Sequence, residues 1–257
     1  MRKLILVFAL VLGLASCGNA FRDFPDKSSD AYYIDQARIF LDQFKFDEAI
    51  AKITPVLVTQ PRNPSVVEIA MLAHAGRAGL RVLDLILELG SSSDTFFMIF
   101  AQHFPNADDD DVADMQRAVE ILEAYEPDHL NRTSQFNLIG MFLYYGRIGV
   151  TLNRYAYVNN VLSATFDHCS STDLPDTALT NIVQSLPKAL DSASGIGTGG
   201  VSDALDGLTS EPTIQQFLGN ENAVCPADDT PCSLMRSLIG EGDLNIGLGS
   251  GVLTPCP

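Results

Sequence analysis

The residue types best suited to proton transfer or metal binding are spread thinly along this sequence. No pair of its four histidines has the spacing of helical metal ligands: His74, His103, His129 and His168. The motifs H-E-x-x-H and G-x-S-x-G are both absent. His168 precedes Cys169 and could form a Cys/His pair with it, but a structural disulfide explains this cysteine better. We therefore expect a protein that is not an enzyme, with no catalytic residue, no metal and no cofactor.

Two further patterns resemble ligand-binding loops without meeting their requirements. The acidic segment 106–114 would need Gly and Glu at two fixed positions to be an EF-hand loop, and it has Asp111 and Arg117 there. Its carboxylates are typical of a helix N-terminus, where the helix dipole favours negative charge. Residues 195–200 match G-x-G-x-x-G, but no predicted strand precedes them. We interpret the first segment as the start of a helix and the second as a flexible loop.

The N-terminal residues are organised like a secretory signal peptide. A basic start precedes the apolar run 4–14, whose 11 residues are fewer than the ~20 that a membrane-spanning helix needs. Residues 14–17, Leu-Ala-Ser-Cys, then resemble the lipobox of bacterial lipoproteins. This resemblance implies that residues 1–16 are removed, that diacylglycerol is attached to the thiol of Cys17, and that its new amine receives an acyl chain such as palmitate.

The lipobox resemblance also predicts where the protein resides. Several acyl chains on Cys17 would anchor it stably, because each buried CH₂ contributes about 0.8 kcal/mol. Gly18 follows the cysteine where Asp would favour the inner membrane, and by resemblance to the sorting rule of enteric bacteria this favours the outer membrane. We therefore expect a lipid-anchored protein of the bacterial cell envelope, facing the periplasm.

The charge balance argues against nucleic acid as a partner. The chain has 16 Lys and Arg against 32 Asp and Glu, a formal charge of −16. Loss of Arg2 and Lys3 with the signal peptide leaves 14 basic residues against 32 acidic ones, a charge of −18. Such a surface repels phosphate backbones. Its 257 residues, 46% of them apolar, are sufficient for a sizeable hydrophobic core.

Four cysteines remain besides Cys17, and their even number in an exported chain indicates two disulfides. They are separated by 56, 7 and 24 residues, which does not match a zinc site. Three pairings are open. We favour Cys225 with Cys232, which would close a short loop, and Cys169 with Cys256, which would tie the tail to the body.

Apolar residues recur at helical spacing twice between residues 31 and 60, which predicts two paired helices. We expect the break at residues 44–47, with Asp47 as the N-cap of the second helix and Pro61 and Pro64 after its end. The pair resembles a tetratricopeptide repeat, a motif of about 34 residues with small and aromatic residues at fixed positions. The matching residues are Tyr33, Ala37, Phe40, Ala49, Ile53, Val56 and Pro61.

A second match to this motif lies 69 residues further on, close to two periods, where Ala118 corresponds to Ala49. It continues into the apolar stretch 135–150, which we interpret as a core helix interrupted by Asn137 and Arg147. We therefore predict an all-α fold of antiparallel helix pairs. Two arrangements stay open, a tetratricopeptide-like array and an irregular helical bundle.

The composition divides the chain into four predicted parts. Residues 1–16 form the signal peptide, 17–30 a lipid-anchored flexible leash, 31–190 the helical domain and 191–257 a Gly- and Ser-rich region held by disulfides. Within the last part we expect short helices: Ser202–Leu208, Thr213–Leu218 and Cys232–Ile239.

Two functions are consistent with these features. The first is a membrane-anchored scaffold that binds another envelope protein, because helical repeat arrays bind partners along an extended groove. The repeat resemblance implies contact positions on the first helix of each pair: Tyr33, Gln36, Phe40, Gln135, Asn137 and Tyr144. The alternative is a transporter-accessory lipoprotein that binds a small hydrophobic ligand.

Overall fold

A computed structural model describes residues 27–91, 94–196, 212–216, 219–227, 229–240, 247–248 and 256. The predicted signal peptide, the lipid-attachment residue Cys17 and the predicted helix Ser202–Leu208 lie outside these residues, as does most of the leash.

The described chain is mostly helical, which confirms the all-α prediction. Its helices are α1 (Asp30–Asp42), α2 (Phe46–Thr59), α3 (Pro64–Arg77), α4 (Val82–Ser91), α5 (Phe96–Gln102), α6 (Asp109–Tyr125), α7 (Ser134–Ala156), α8 (Asp176–Ser194), α9 (Pro212–Gln215) and α10 (Asp229–Gly240). A 3₁₀ turn (His129–Asn131) precedes α7. After α7, β1 (Tyr157–Val158) and β2 (Val161–Leu162) form a small antiparallel hairpin. The predicted helix Cys232–Ile239 lies within α10.

Side-chain caps explain where most of the long helices begin. The side chains of Ser29, Asn63 and Thr133 accept backbone hydrogen bonds at the starts of α1, α3 and α7. Asp108 and Asp111 form a reciprocal capping box at the start of α6, so the acidic segment is a helix N-terminus, as interpreted from the sequence.

The predicted N-cap of α2 is wrong. Lys45 occupies the N-cap position and Asp47 lies in the first turn. The chain reverses at Phe44, whose φ is 57°, and the ring of Phe46 packs against the backbone of Gly76 on α3. Because this contact brings Phe46 into the helix, the Asp47 carboxylate is displaced from the capping position and accepts a hydrogen bond from Arg77 at 2.8 Å instead.

Consecutive helices pack side by side in the order α1, α2, α3, α6, α7, α8 and α10, with α4 and α5 inserted between α3 and α6. Contacts between opposite ends show that neighbours run antiparallel. Gln60 after α2 donates to Asp30 at the start of α1, and Arg154 near the end of α7 donates to Asp109 at the start of α6. This arrangement is the predicted series of antiparallel helix pairs.

Helix α7 forms the centre of the core, which confirms its interpretation as a core helix. It is buried along most of its length and contacts α5, α6 and α8. Its polar interruptions, Asn137 and Arg147, are buried as well. No helix in the described ranges is both long and apolar enough to cross a membrane.

The cysteines pair as the sequence analysis favoured. Cys225 is bonded to Cys232, with their Cα atoms 5.7 Å apart. Cys169 is bonded to Cys256, with a Cα separation of 5.2 Å, so the C-terminal tail is joined to the segment before α8.

Candidate functional site

A pocket of about 430 Å³ opens where α6, α7 and α8 meet beside the 3₁₀ turn. We call it the charged pocket because of the ionisable residues that line it: Glu123, Asp128, His129, Arg132, Lys188, Asp191 and Glu221. Tyr144 of α7 also lines this pocket. The sequence positions involved span nearly a hundred residues, so the pocket exists only because the three helices pack together.

One carboxylate organises one side of the charged pocket. Glu123 Oε1 accepts a hydrogen bond from the Tyr144 hydroxyl at 3.2 Å and another from Lys188 Nζ at 2.7 Å. Burial raises the pKa of Tyr144 to about 12, and the nearby Glu123 charge adds to this effect while Arg132 opposes it. The tyrosine therefore remains a neutral hydrogen-bond donor at physiological pH.

Arg132 brings a buried positive charge to the same pocket. It donates to the backbone carbonyls of Glu126 and Pro127, to the Ser192 hydroxyl and to the Tyr144 hydroxyl. Gly140 makes room for this arrangement, because a Cβ at that position would lie 3.2 Å from the guanidinium. Among the described residues, no carboxylate forms an ion pair with Arg132, so its charge is balanced only by dipoles and more distant acids.

A second buried guanidinium lies behind the charged pocket. Arg147 donates to the Ser185 hydroxyl and to Gln116 Oε1, but its Nη2 has no hydrogen-bond partner among the described residues. Burial lowers the pKa of Arg147, although nearby glutamates oppose this effect. Arg132, Arg147 and Lys188 all lie within 6.0 Å of the Tyr144 ring centroid, a concentration of cations in a strongly acidic protein.

A second surface is apolar. A groove of about 250 Å³ lies between α3 and α7, and its apolar lining residues are Leu72, Leu80, Val82, Leu138, Ile139, Phe142 and Leu143. At one side of this apolar groove, Gln135 donates to Glu68 at 2.7 Å. At the other side α4 begins, and its side chains Leu83 and Ile86 are 77% and 47% exposed. The groove and α4 together form an exposed apolar surface.

The polar cluster around Asp114 has the partners of a structural network. Its carboxylate accepts hydrogen bonds from Arg77 and from His74, the latter at 3.0 Å. Burial opposes the charge on Asp114, but the two cationic donors outweigh it, so the pKa of this carboxyl is lowered. His74 is therefore a packed helix residue with a carboxylate partner, which agrees with the absence of a catalytic motif around it.

The tetratricopeptide-type contact positions lie in different environments. Tyr33, Gln36 and Phe40 are half-buried on α1, and Gln135 is exposed beside the apolar groove. Asn137 is buried, with its amide donating to His129 O at 3.0 Å. Tyr144, also buried, lines the charged pocket.

Sequence reasoning missed the charged pocket. Two signals pointed toward it, namely the polar interruptions Asn137 and Arg147 within an apolar helix. It also treated His168 and Cys169 as a candidate pair. Ligand atoms of His168, Cys169 and Cys256 lie within 4.8 Å of one another, but both sulfurs are engaged in the disulfide and so are not thiolate ligands.

Comparison of the chain with protein-family models, with curated proteins and with solved structures gave no match. The functional argument therefore depends on the apolar surface, the charged pocket and the N-terminal sequence.

Proposed function

We propose that this protein is a lipid-anchored scaffold of the bacterial cell envelope, whose apolar groove binds an amphipathic, basic helix of another envelope protein. One observation carries the proposal: a highly acidic protein presents an apolar surface formed by the groove between α3 and α7 and the adjoining face of α4. Continuous apolar patches with polar borders are typical of interaction sites.

The shape of this surface favours a helical partner. Leu83 and Ile86 are three residues apart and therefore project from the same side of α4. The adjoining groove is bordered by two helices, and such grooves accept the apolar face of an amphipathic helix through side chains at i, i+3 and i+4. A bound helix would cover both Leu138 and the two exposed α4 side chains.

Charge selects a basic partner. Arg81 and Asp84 approach within 4.0 Å and balance each other beside the groove. Glu68 is hydrogen-bonded to the neutral amide of Gln135, and no described residue forms an ion pair with it. The border therefore has an unbalanced negative charge, and the whole chain adds a formal −16. Lysine or arginine flanking the partner's apolar stripe would complement both.

The lipid anchor would keep this surface close to the membrane. If acylation occurs at Cys17, 13 residues separate the lipid from the first residue of α1, Asp30. A fully extended segment of that length spans at most about 45 Å. The tether would raise the local concentration of the scaffold around membrane-bound partners.

A site-specific photo-crosslinker tests the proposal in intact cells. Placed at Leu83, it should give one dominant adduct, and the crosslinked peptide should have an apolar helical stripe flanked by basic residues. Val58 on α2 is the matched control because its side chain is equally exposed, at 77%, away from the groove. The Leu138→Asp substitution should abolish the Leu83 adduct, and higher salt should weaken it.

The outcomes separate the alternatives. Equal adducts from Leu83 and Val58, or a crosslinked segment without basic residues, would contradict the scaffold proposal. A small-molecule or lipid adduct at Leu83 would instead support the alternative of a transporter-accessory lipoprotein with a small hydrophobic ligand.

A further inference from the structure

The cationic side of the charged pocket retains hydrogen-bonding capacity for a ligand. Lys188 has three N–H donors. Its Nζ makes one described hydrogen bond, to Glu123, and the side chain is only 23% exposed. Arg132 adds a buried charge that no described carboxylate pairs with. A carboxylate placed here would accept hydrogen bonds from Lys188 and lie in the field of Arg132.

The acidic side of the same pocket has the opposite requirement. Asp191 and Glu221 both line it, and neither forms an ion pair with a described residue. Asp191 is three residues after Lys188 on α8, so both side chains lie on the pocket-facing side of that helix. Burial raises the pKa of Asp191, and the neighbouring charge of Glu221 raises it further, whereas His129 lowers it. A ligand ammonium group would satisfy this side.

We propose that the charged pocket binds a small zwitterion of the α-amino-acid type, with its carboxylate at Lys188 and Arg132 and its ammonium group at Asp191 and Glu221. The volume of about 430 Å³ lies within the ~300–1,000 Å³ range of small-molecule sites. This ligand and the helical partner proposed above use separate surfaces, so either proposal can hold without the other.

The composition of the lining excludes simpler ligands. A simple anion would meet Lys188 and Arg132 but also face four carboxylates, those of Glu123, Asp128, Asp191 and Glu221. A simple cation would face these acids but lie close to both basic residues. A zwitterion places each charge beside its complement, and burial strengthens both interactions because the local dielectric constant is lower than in water.

Titration calorimetry on the purified mature chain in detergent tests the proposal. The probes are pools of L- and D-α-amino acids, followed by the individual members of any pool that releases heat. The best amino acid should be compared with its N-acetyl derivative, which lacks the ammonium charge, and with its carboxamide, which lacks the carboxylate. Each derivative should bind about ten- to a hundredfold more weakly, the loss expected for a hydrogen bond to a charged group.

Two substitutions should assign the two halves of the site. Lys188→Met should weaken binding about ten- to a hundredfold, as should Asp191→Asn. Lys52→Met is the matched control, because Lys52 lies on α2 over the Tyr33 ring and away from the pocket. Thermal unfolding of each variant verifies that it is folded before binding is measured.

Three results would overturn the proposal. The first is that no amino acid binds with a Kd below about 10 mM. The second is that the N-acetyl derivative binds as tightly as the free amino acid, which would mean that the pocket recognises only an anion. The third is that the carboxamide binds equally well, which would mean that it recognises only a cation.

Discussion

Asp114 of α6 accepts hydrogen bonds from the Arg77 guanidinium of α3 on both of its carboxylate oxygens. The same guanidinium reaches Asp47 of α2 at 2.8 Å. Helices α4 and α5 separate α3 from α6 in the sequence, so this cluster fixes a contact that no short loop enforces. One arginine thereby connects three helices of the array.

Asp114→Asn should destabilise the protein because it leaves the Arg77 guanidinium without its main carboxylate partner. Breaking a buried ion pair in this way costs about 3 kcal/mol. Urea denaturation followed by circular dichroism measures the change. Asp109→Asn is the control, because Asp109 also pairs with an arginine but is exposed, and it should change the urea midpoint little. Equal effects of the two substitutions would contradict the role assigned to Asp114.

The same residue should contribute to acid denaturation. Burial opposes the Asp114 charge, but the bonds from Arg77 and His74 outweigh it and hold the folded-state pKa below the model value of 3.8. A lowered folded-state pKa stabilises the protein above the unfolded-state pKa, and this stabilisation is lost as the pH falls through the folded-state value. Between about pH 5 and pH 2, wild type should therefore lose more stability than Asp114→Asn. Parallel pH profiles for the two proteins would contradict this expectation.

The parts of the fold that sequence could predict are those with local causes. The helices α1, α2 and α7 follow from apolar periodicity, and the start of α6 follows from its acidic segment. The N-cap of α2 was wrong because its position depends on Phe46 packing against Gly76, which lies 30 residues further along. A local rule favoured Asp47, but a tertiary contact determined where the helix begins.

The charged pocket could not be predicted for the same reason. Arg132 and Ser192 are 60 residues apart, and Glu123 and Lys188 are 65 apart. Nothing in their local sequences distinguishes them from surface residues. Arg147 did stand out within an apolar helix, but a single interruption does not reveal which helices will surround it.

The close approach of α5 to α7 at Gly149 gives a second prediction. A Cβ at this position would overlap the backbone carbonyl of Phe100, and backbone cannot move aside as a side chain can. Gly149→Ala should therefore destabilise the protein by about 1–3 kcal/mol, the usual cost of overpacking. Thermal or urea unfolding gives the measurement.

Gly146 on the same helix is the matched control. A Cβ there would lie 3.0 Å from the terminal methyl group of Met115, which is flexible enough to shift. Gly146→Ala also gains helix propensity, so its unfolding midpoint should stay close to that of wild type. A larger loss at Gly146 than at Gly149 would mean that the α5–α7 contact is not the tighter one.

The two disulfides should differ in their contributions to stability. Cys169 and Cys256 are 87 residues apart, whereas Cys225 and Cys232 are separated by only 7. Because a crosslink restricts the unfolded chain more when it closes a longer loop, removing the first should cost about 4–5 kcal/mol and removing the second about 2–3 kcal/mol. Paired Cys→Ser substitutions and urea denaturation test this order.

Thiol titration provides the accompanying check on the disulfides. The mature chain, unfolded without reductant, should show no reactive thiol, since Cys17 is expected to be acylated and the other four cysteines are paired. Two or more free thiols would contradict the pairing and would make His168, Cys169 and Cys256 available as metal ligands.

The last prediction concerns the lipid anchor. If the thiol of Cys17 carries diacylglycerol, Cys17→Ala should move the protein from the membrane fraction to the soluble fraction, since no described helix is suited to span a bilayer. Mass spectrometry of the wild-type N-terminal peptide should show the acyl masses on Cys17, and Ser16→Thr, which leaves the thiol in place, serves as the control for processing. If Cys17→Ala still partitions into detergent as wild type does, the lipoprotein interpretation is wrong, and the apolar surface at Leu83 and Ile86 becomes the first place to look for another means of membrane attachment.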